Sequence, residues 1–182
     1  HGTPMCAGGR ANCGGVGSAS TGAAAAFGQR RALVIKALEE ARVPIDFVGG
    51  ASMGAVVAAG PALGWSFERL DYEIRRAFVE SDPLSDLAFP IIAMSRARKV
   101  AGLLERAYGD IDLADLALPF FAVSSNLTSG RIEVHRTGLM RRAMRASIAI
   151  PGVLPPVVID GQVLVDGAVL KNFPTSVMRQ LN

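Results

Sequence analysis

The chain has 182 residues, 50% of them hydrophobic, and a formal net charge of +3, which fits one domain with a well-buried core. So small a basic excess argues against nucleic acid as a partner, and with aromatics at 6% there is no platform on which bases could stack. The best apolar run, Met53 to Leu63, is interrupted by Gly54, Gly60 and Pro61, so it reads as a buried helix rather than a membrane span.

Residues 1–31 are an atypical Gly- and Ala-rich segment with little charge and no periodicity, read as loop or poorly specified structure. Cys6 and Cys13 lie within it; they make neither a disulfide framework nor a metal set, and a reducing compartment is expected. The chain opens at His1, so a processed product or a fragment is expected and any targeting signal lies out of view.

From Arg31 the patterns sharpen. "RRALVIKALEEA" sets Leu33, Val34, Ala37 and Leu38 against Lys36, Glu39 and Glu40, a helix that Pro44 ends. "IDFVGG" (45–50) is a short buried strand, and "MGAVVAAGPAL" returns to helix. "SFERLDYEIRRAFVE" (66–80) repeats Phe67, Leu70, Ile74 and Phe78 at helical spacing behind Ser66 as N-cap. Residues 81–90 form a Pro-bounded loop and 95–110 an amphipathic helix. "LPFFAVSSNL" (118–127) and "GRIEVHR" (130–136) are paired strands. A basic helix over 139–152 ends at Pro151; a hairpin comes next, Val157–Ile159 and Val163–Val165 around Asp160-Gly161, and then a short helical start near the C-terminus. Strands alternating with helices give an α/β layer fold with a largely parallel central sheet.

One stretch carries chemistry. "GASMG" (50–54) places Ser52 between two glycines where a strand becomes a helix. A serine hydroxyl attacks an ester only with a base, a set of anion-stabilising N–H groups and an exposed position. A sharp strand-to-helix turn supplies exposure; Gly50 and Gly54 relieve its crowding, and the Met53 N–H at the helix start faces the reacting oxygen.

The base is harder to read. A histidine is the usual partner, but His1 is terminal and His135 alternates with Ile132 and Val134, which puts it on the polar, solvated face of its strand. A carboxylate acting directly is the remaining option. Asp166 in "VLVDGA" comes after three β-formers and precedes glycine, where desolvation would raise its pKa. Asp160-Gly161 has the same local pattern, and local pattern alone leaves both aspartates open.

"DFVGGASMGAVVAAG" and "LVDGAVLKNFP" resemble the patatin-like phospholipase family, in particular bacterial members akin to the catalytic domain of neuropathy target esterase. "KALEEARVPIDF", "SSNLTSGRIEVH" and "ASIAIPGVLPPV" add to a resemblance running from about Ala32 to Pro174, the stretch 32–182 being taken as the catalytic domain. The resemblance implies a three-layer patatin-like fold, incomplete at both ends. It implies a Ser-Asp dyad of Ser52 and Asp166, with Gly167 and Ala168 completing the Asp-Gly-Ala motif. It further implies a lipid acyl hydrolase working through an acyl-serine on phospholipids, lysophospholipids or simple esters. Neither a metal nor another cofactor is called for. Contact with a membrane surface is expected, in the cytoplasm or at the inner face of the membrane. Apolar residues around Ile148–Val158 could line an acyl channel.

The family's Gly-rich oxyanion loop, of the form G-G-G-x-R-G, should fall at Gly22–Gly28, where this chain reads "GAAAAFG" with the arginine displaced to Arg30 or Arg31. Gly22 is thus a weak oxyanion candidate. Two accounts are open: a truly altered loop, or a frame-shifted reading of GC-rich DNA before Ala32 that turns glycine codons into alanine codons. The rival readings are a catalytically impaired remnant that binds lipid without turnover, and a Ser-His-Asp hydrolase using His135. Arg96, Arg98, Lys99, Arg141, Arg142 and Arg145 read as solvated helix faces, with attraction of phospholipid head groups as the alternative.

Overall fold

A computed structural model describes residues 15–77 and 90–181, with the backbone alone for 15–27 and 90–96. The elements in order are α1 (Gly15–Glu40), β1 (Val48–Ala51), α2 (Met53–Ala62), α3 (Phe67–Arg75), α4 (Pro90–Tyr108), a 3-10 turn (Leu113–Asp115), β2 (Phe120–Asn126), β3 (Arg131–His135), α5 (Met140–Ser147), β4 (Val157–Ile159), β5 (Gln162–Asp166), α6 (Ala168–Lys171) and α7 (Thr175–Leu181). Ser66 caps α3 by accepting the Arg69 N–H at 3.3 Å. Cys6, Cys13 and most of the loop expected at 81–90 lie outside the described residues.

The N-terminal helix differs from expectation. It does not start at Arg31 but runs from Gly15, so Gly22 and the alanine run 23–26 are helical rather than loop. Alanine is the strongest helix former, and four in succession outweigh the flanking glycines. Beyond Glu40, the positive φ of Arg42 marks the end of the helix and the approach to β1.

β2 organises the sheet. Its first four residues are apolar, all seven are buried, and it pairs with three other strands. β1 runs parallel to it over Phe120–Val123, β3 antiparallel over Ala122–Asn126, and β5 antiparallel over Ser124–Asn126; β4 then pairs antiparallel with β5. The α/β class and the flanking helices stand, while the sheet is mixed: the parallel arrangement applies to β1 and β2, and β3 and β5 both run antiparallel to β2, β3 because the tight turn through Gly130 reverses the chain.

A strand has two edges. β3 overlaps both β1 and β5 in its pairing with β2, so β1 and β5 share the opposite edge. They approach each other head-on along it: the last residue of β1, Ala51, sits beside Val123, and the last of β5, Asp166, sits beside Ser124. Consecutive positions along a strand are about 3.3 Å apart, so this register brings two chain segments distant in sequence end to end.

Helices cover both faces. On one, Val48, Phe120 and Ala122 pack with Ala55 and Ala59 of α2, Leu104 of α4 and Met144 of α5. On the other, Ala51, Phe121 and Val123 meet Val177 of α7. α1 lies against α2 and α3 through Ala32, Val57, Leu70 and Ile74.

Candidate active site

The turn after β1 is built by one glycine. A Cβ on Gly50 would lie 2.5 Å from the carbonyl carbon of Gly54 and 2.8 Å from the Ala55 nitrogen, so the chain can fold back this closely only without a side chain there. Gly54 itself is not crowded: a Cβ would meet the Arg31 guanidinium at 3.5 Å, ordinary contact. The crowding that the sequence assigns to both glycines therefore falls on Gly50. Between them Ser52 takes φ 52° and ψ −127°, a left-handed conformation that a non-glycine residue holds only when its surroundings enforce it.

The side chain so presented donates from Oγ to Asp166 Oδ2 at 2.5 Å, across 114 positions of sequence. Asp166 is 2% exposed. Its other oxygen, Oδ1, accepts the Ala168 N–H at 2.7 Å, and its own N–H donates to Ala149 O at 2.9 Å. Burial pushes the Asp166 carboxyl above the ordinary carboxylate value, against the opposing hydrogen bonds from Ser52 and the Ala168 backbone. A Cβ on Gly167 would overlap the Val123 carbonyl and Ala51, which explains the glycine after the aspartate. Asp160, the alternative aspartate, sits in the β4–β5 turn with φ 49°, away from Ser52.

The first N–H groups of a helix have no intrahelical acceptor. At the start of α2, the Ala55 and Val56 N–H groups turn back to Ser52 O, while those of Met53 and Gly54 have no partner among the described residues. Gly22 offers no such group: inside α1 its N–H points along the helix. Gly28, farther along α1, packs on Met53 instead, where a Cβ would meet the thioether sulfur at 3.0 Å.

His135 is not at this centre. Its Nε2 is 2.7 Å from Ser124 Oγ, and it is half-buried rather than solvated, because Ser124 on the neighbouring strand draws the ring onto the sheet. Burial lowers its pKa below 6.5, with Glu133 opposing.

Several buried polar side chains lie along β2 and at the end of α5. These are Ser124, Ser125, Asn126 and Ser147, and each is bonded, as burial demands. Ser125 Oγ donates to Gly167 O at 3.3 Å and accepts the Leu170 N–H at 3.1 Å. Asn126 Nδ2 reaches Gln162 Oε1 at 3.1 Å, and its Oδ1 accepts from Thr128 and Ser129. Ser147 Oγ accepts the Ser52 N–H at 3.0 Å and donates to Val123 O at 2.8 Å. None of these four is singled out by sequence pattern. "SSN" in an otherwise apolar strand was the available signal.

A cavity of about 170 Å³ is lined by Ser52 together with Val56, Leu104, Tyr108, Ile148 and Leu154. Of the segment read as an acyl channel, Ile148, Ile150, Val153 and Leu154 do line it; Val157 packs instead in the core beside Leu164, and Val158 faces solvent. Burial, and after it the charge of Glu73, push the Tyr108 phenol well up, so it stays neutral; Glu73 is the one charged side chain among the described residues of a wall that is otherwise almost wholly apolar. No group of three metal-ligating side chains occurs among the described residues. No helix among them is long and apolar enough to cross a membrane. Arg98, Lys99 and Arg142 are exposed, and Arg141 pairs with Asp110 at 2.9 Å and Glu105 at 3.3 Å.

The patatin-like phospholipase family model matches residues 13–179. An uncharacterized NTE family protein of Mycobacterium tuberculosis is 41% identical over 145 residues, 80% of this chain and 25% of that protein. Human patatin-like phospholipase domain-containing protein 6 is 35% identical over 155 residues, 81% of this chain and 11% of its own length. Lysophospholipase NTE1 of Mycosarcoma maydis is 34% identical over 149 residues, 80% of this chain and 8% of its own length. The chain thus spans a quarter or less of these relatives. A family match over nearly the whole chain, and relatives at this identity, establish that the chain belongs to the patatin-like phospholipase family of lipid-hydrolysing enzymes.

Proposed function

We propose that the chain hydrolyses carboxyl esters of phospholipids or lysophospholipids by acyl transfer to Ser52. The reading rests on one observation above the others, the 2.5 Å hydrogen bond to a buried carboxylate from the Oγ of Ser52, a residue that lines a largely apolar cavity. Asp166 takes the Ser52 proton as Oγ attacks the ester carbonyl and gives it to the leaving alcohol oxygen; it then takes a proton from the water that attacks the acyl-serine and returns it to Ser52 Oγ as the fatty acid leaves. A carboxylate with its pKa raised by burial is a stronger proton acceptor than an ordinary one. The Met53 and Gly54 N–H groups are placed to receive the oxyanion, and the cavity takes the acyl chain. Val169, Leu170 and Phe173, exposed just beyond the dyad, support contact with a lipid surface.

A second reading, an impaired family member that binds lipid without turnover, draws on the helical state of Gly22–Gly28. Without the family's Gly-rich loop, oxyanion stabilisation falls to the start of α2, and each missing donor costs about a hundredfold or more in rate.

Turnover of p-nitrophenyl butyrate and lysophosphatidylcholine decides between them. Ester hydrolysis predicts that Ser52→Ala and Asp166→Asn each lower kcat by about a thousandfold or more, while His135→Gln changes it by less than about threefold, since His135 bonds Ser124 and not the nucleophile. A wild-type chain that binds lysophosphatidylcholine micelles yet shows no Ser52-dependent turnover selects the impaired member. Loss in His135→Gln equal to that in Asp166→Asn overturns the dyad.

A further inference from the structure

We propose that Ser147 is a positioning residue that clamps the two halves of the dyad in register. Three strands converge on it. Ser147 closes α5 and is fully buried. Its hydroxyl oxygen accepts the Ser52 N–H at 3.0 Å and donates to Val123 O at 2.8 Å, which ties the elbow to β2. Its carbonyl accepts the Gly167 N–H at 3.3 Å, which ties the end of β5 to the same residue. One side chain and one carbonyl thus hold the residue after β1 and the residue after β5.

The need for a clamp arises from the register. β1 and β5 end beside Val123 and Ser124 and do not pair with each other, so no ladder hydrogen bond fixes the distance across the junction. Ser52 is also held at positive φ, a conformation that relaxes unless something restrains its backbone. The Ser147 hydroxyl bonds the Ser52 backbone nitrogen directly. Release of that bond lets Ser52 rotate toward the β region, and its Oγ leaves Asp166.

This inference rests on the reading of Ser52 and Asp166 as nucleophile and base, and its test separates the two. Ser147→Ala removes the hydroxyl; Ser147→Cys keeps the shape with a much weaker acceptor and stands in if the alanine variant does not fold. The first readout is the titration of Asp166, tracked by its side-chain 13C resonance, which needs no turnover. The hydrogen bond from Ser52 lowers the Asp166 pKa. The clamp therefore predicts an upward shift of the midpoint in Ser147→Ala and Ser147→Cys, with burial still raising it. The second readout is the pH profile of kcat/KM on p-nitrophenyl butyrate: the acidic limb moves to higher pH and kcat falls tenfold or more, with KM held within a factor of two. An unchanged Asp166 midpoint in a folded variant overturns the clamp, whether or not the wild type turns over. An inactive wild type with a shifted midpoint in the variants retains the clamp and overturns the hydrolase reading.

Discussion

Ala51 and Asp166 end their strands on adjacent positions of one edge of β2, Ala51 beside Val123 and Asp166 beside Ser124. That meeting of strand ends creates the dyad. Ser52 is the next residue beyond Ala51, turned by Gly50 so that Oγ points to the carboxylate. The carboxylate needs no long reach, because its strand has stopped where the other stops.

The first prediction concerns pH. Asp166 has a folded pKa above its unfolded value of about 3.8. Such a group contributes stability below the unfolded pKa and loses it as pH rises through the folded pKa, so at neutral pH the buried carboxylate is a net cost. Asp166→Asn is expected to raise Tm by a few degrees at pH 7, with the gain vanishing below pH 3.8. Calorimetric scans of both proteins from pH 3 to pH 8 measure it; an asparagine variant less stable than wild type at pH 7 contradicts the burial argument. The same shift places the acidic limb of kcat/KM above the ordinary carboxylate value.

The second prediction separates the two glycines of the elbow. Gly50→Ala drives a Cβ against the Gly54 and Ala55 backbone at 2.5–2.8 Å, contacts that cannot move without unmaking the turn, and should cost about 3 kcal/mol or more. Gly54→Ala meets the Arg31 guanidinium at 3.5 Å and replaces a helical glycine, which by propensity favours the variant by up to about 1 kcal/mol. Urea unfolding midpoints of the pair check the contrast. Equal losses would show that both positions are crowded.

The third prediction addresses the cavity. Val56 lies one helical turn beyond Ser52 and lines the same space. Val56→Trp should fill part of the roughly 170 Å³ and bar long acyl chains while sparing short ones. The expected result is about a tenfold fall in the ratio of kcat/KM for p-nitrophenyl palmitate to that for p-nitrophenyl butyrate. A parallel fall for both esters would place the acyl chain elsewhere.

Much of this was legible in the chain itself. Gly50-Ala51-Ser52-Met53-Gly54 between a β-leaning run and an alanine-rich one is a local instruction: φ and ψ at the turn depend on which residues lack a Cβ. The helical faces of α3 and α5, and the β4–β5 hairpin around Asp160-Gly161, are likewise local, set by periodicity and by turn residues. Resemblance to the family then favoured Asp166 over Asp160, which local pattern could not do.

What the tertiary structure decided is of longer range. That β1 and β5 meet head-on depends on which edge of β2 each one takes, and no window of sequence encodes an edge. Ser147 gave no sign of its role because its three partners, Ser52, Val123 and Gly167, lie far from it or on another element. His135 alternates as an exposed strand residue should, yet Ser124 draws it in. α1 shows the converse: its helix over Gly22–Gly28 comes from strong alanine propensity, a local signal that the surrounding glycines masked. Backbone conformation is set by neighbours in the chain, whereas the partners of a buried polar group are chosen only when distant segments pack and water is no longer available to satisfy it.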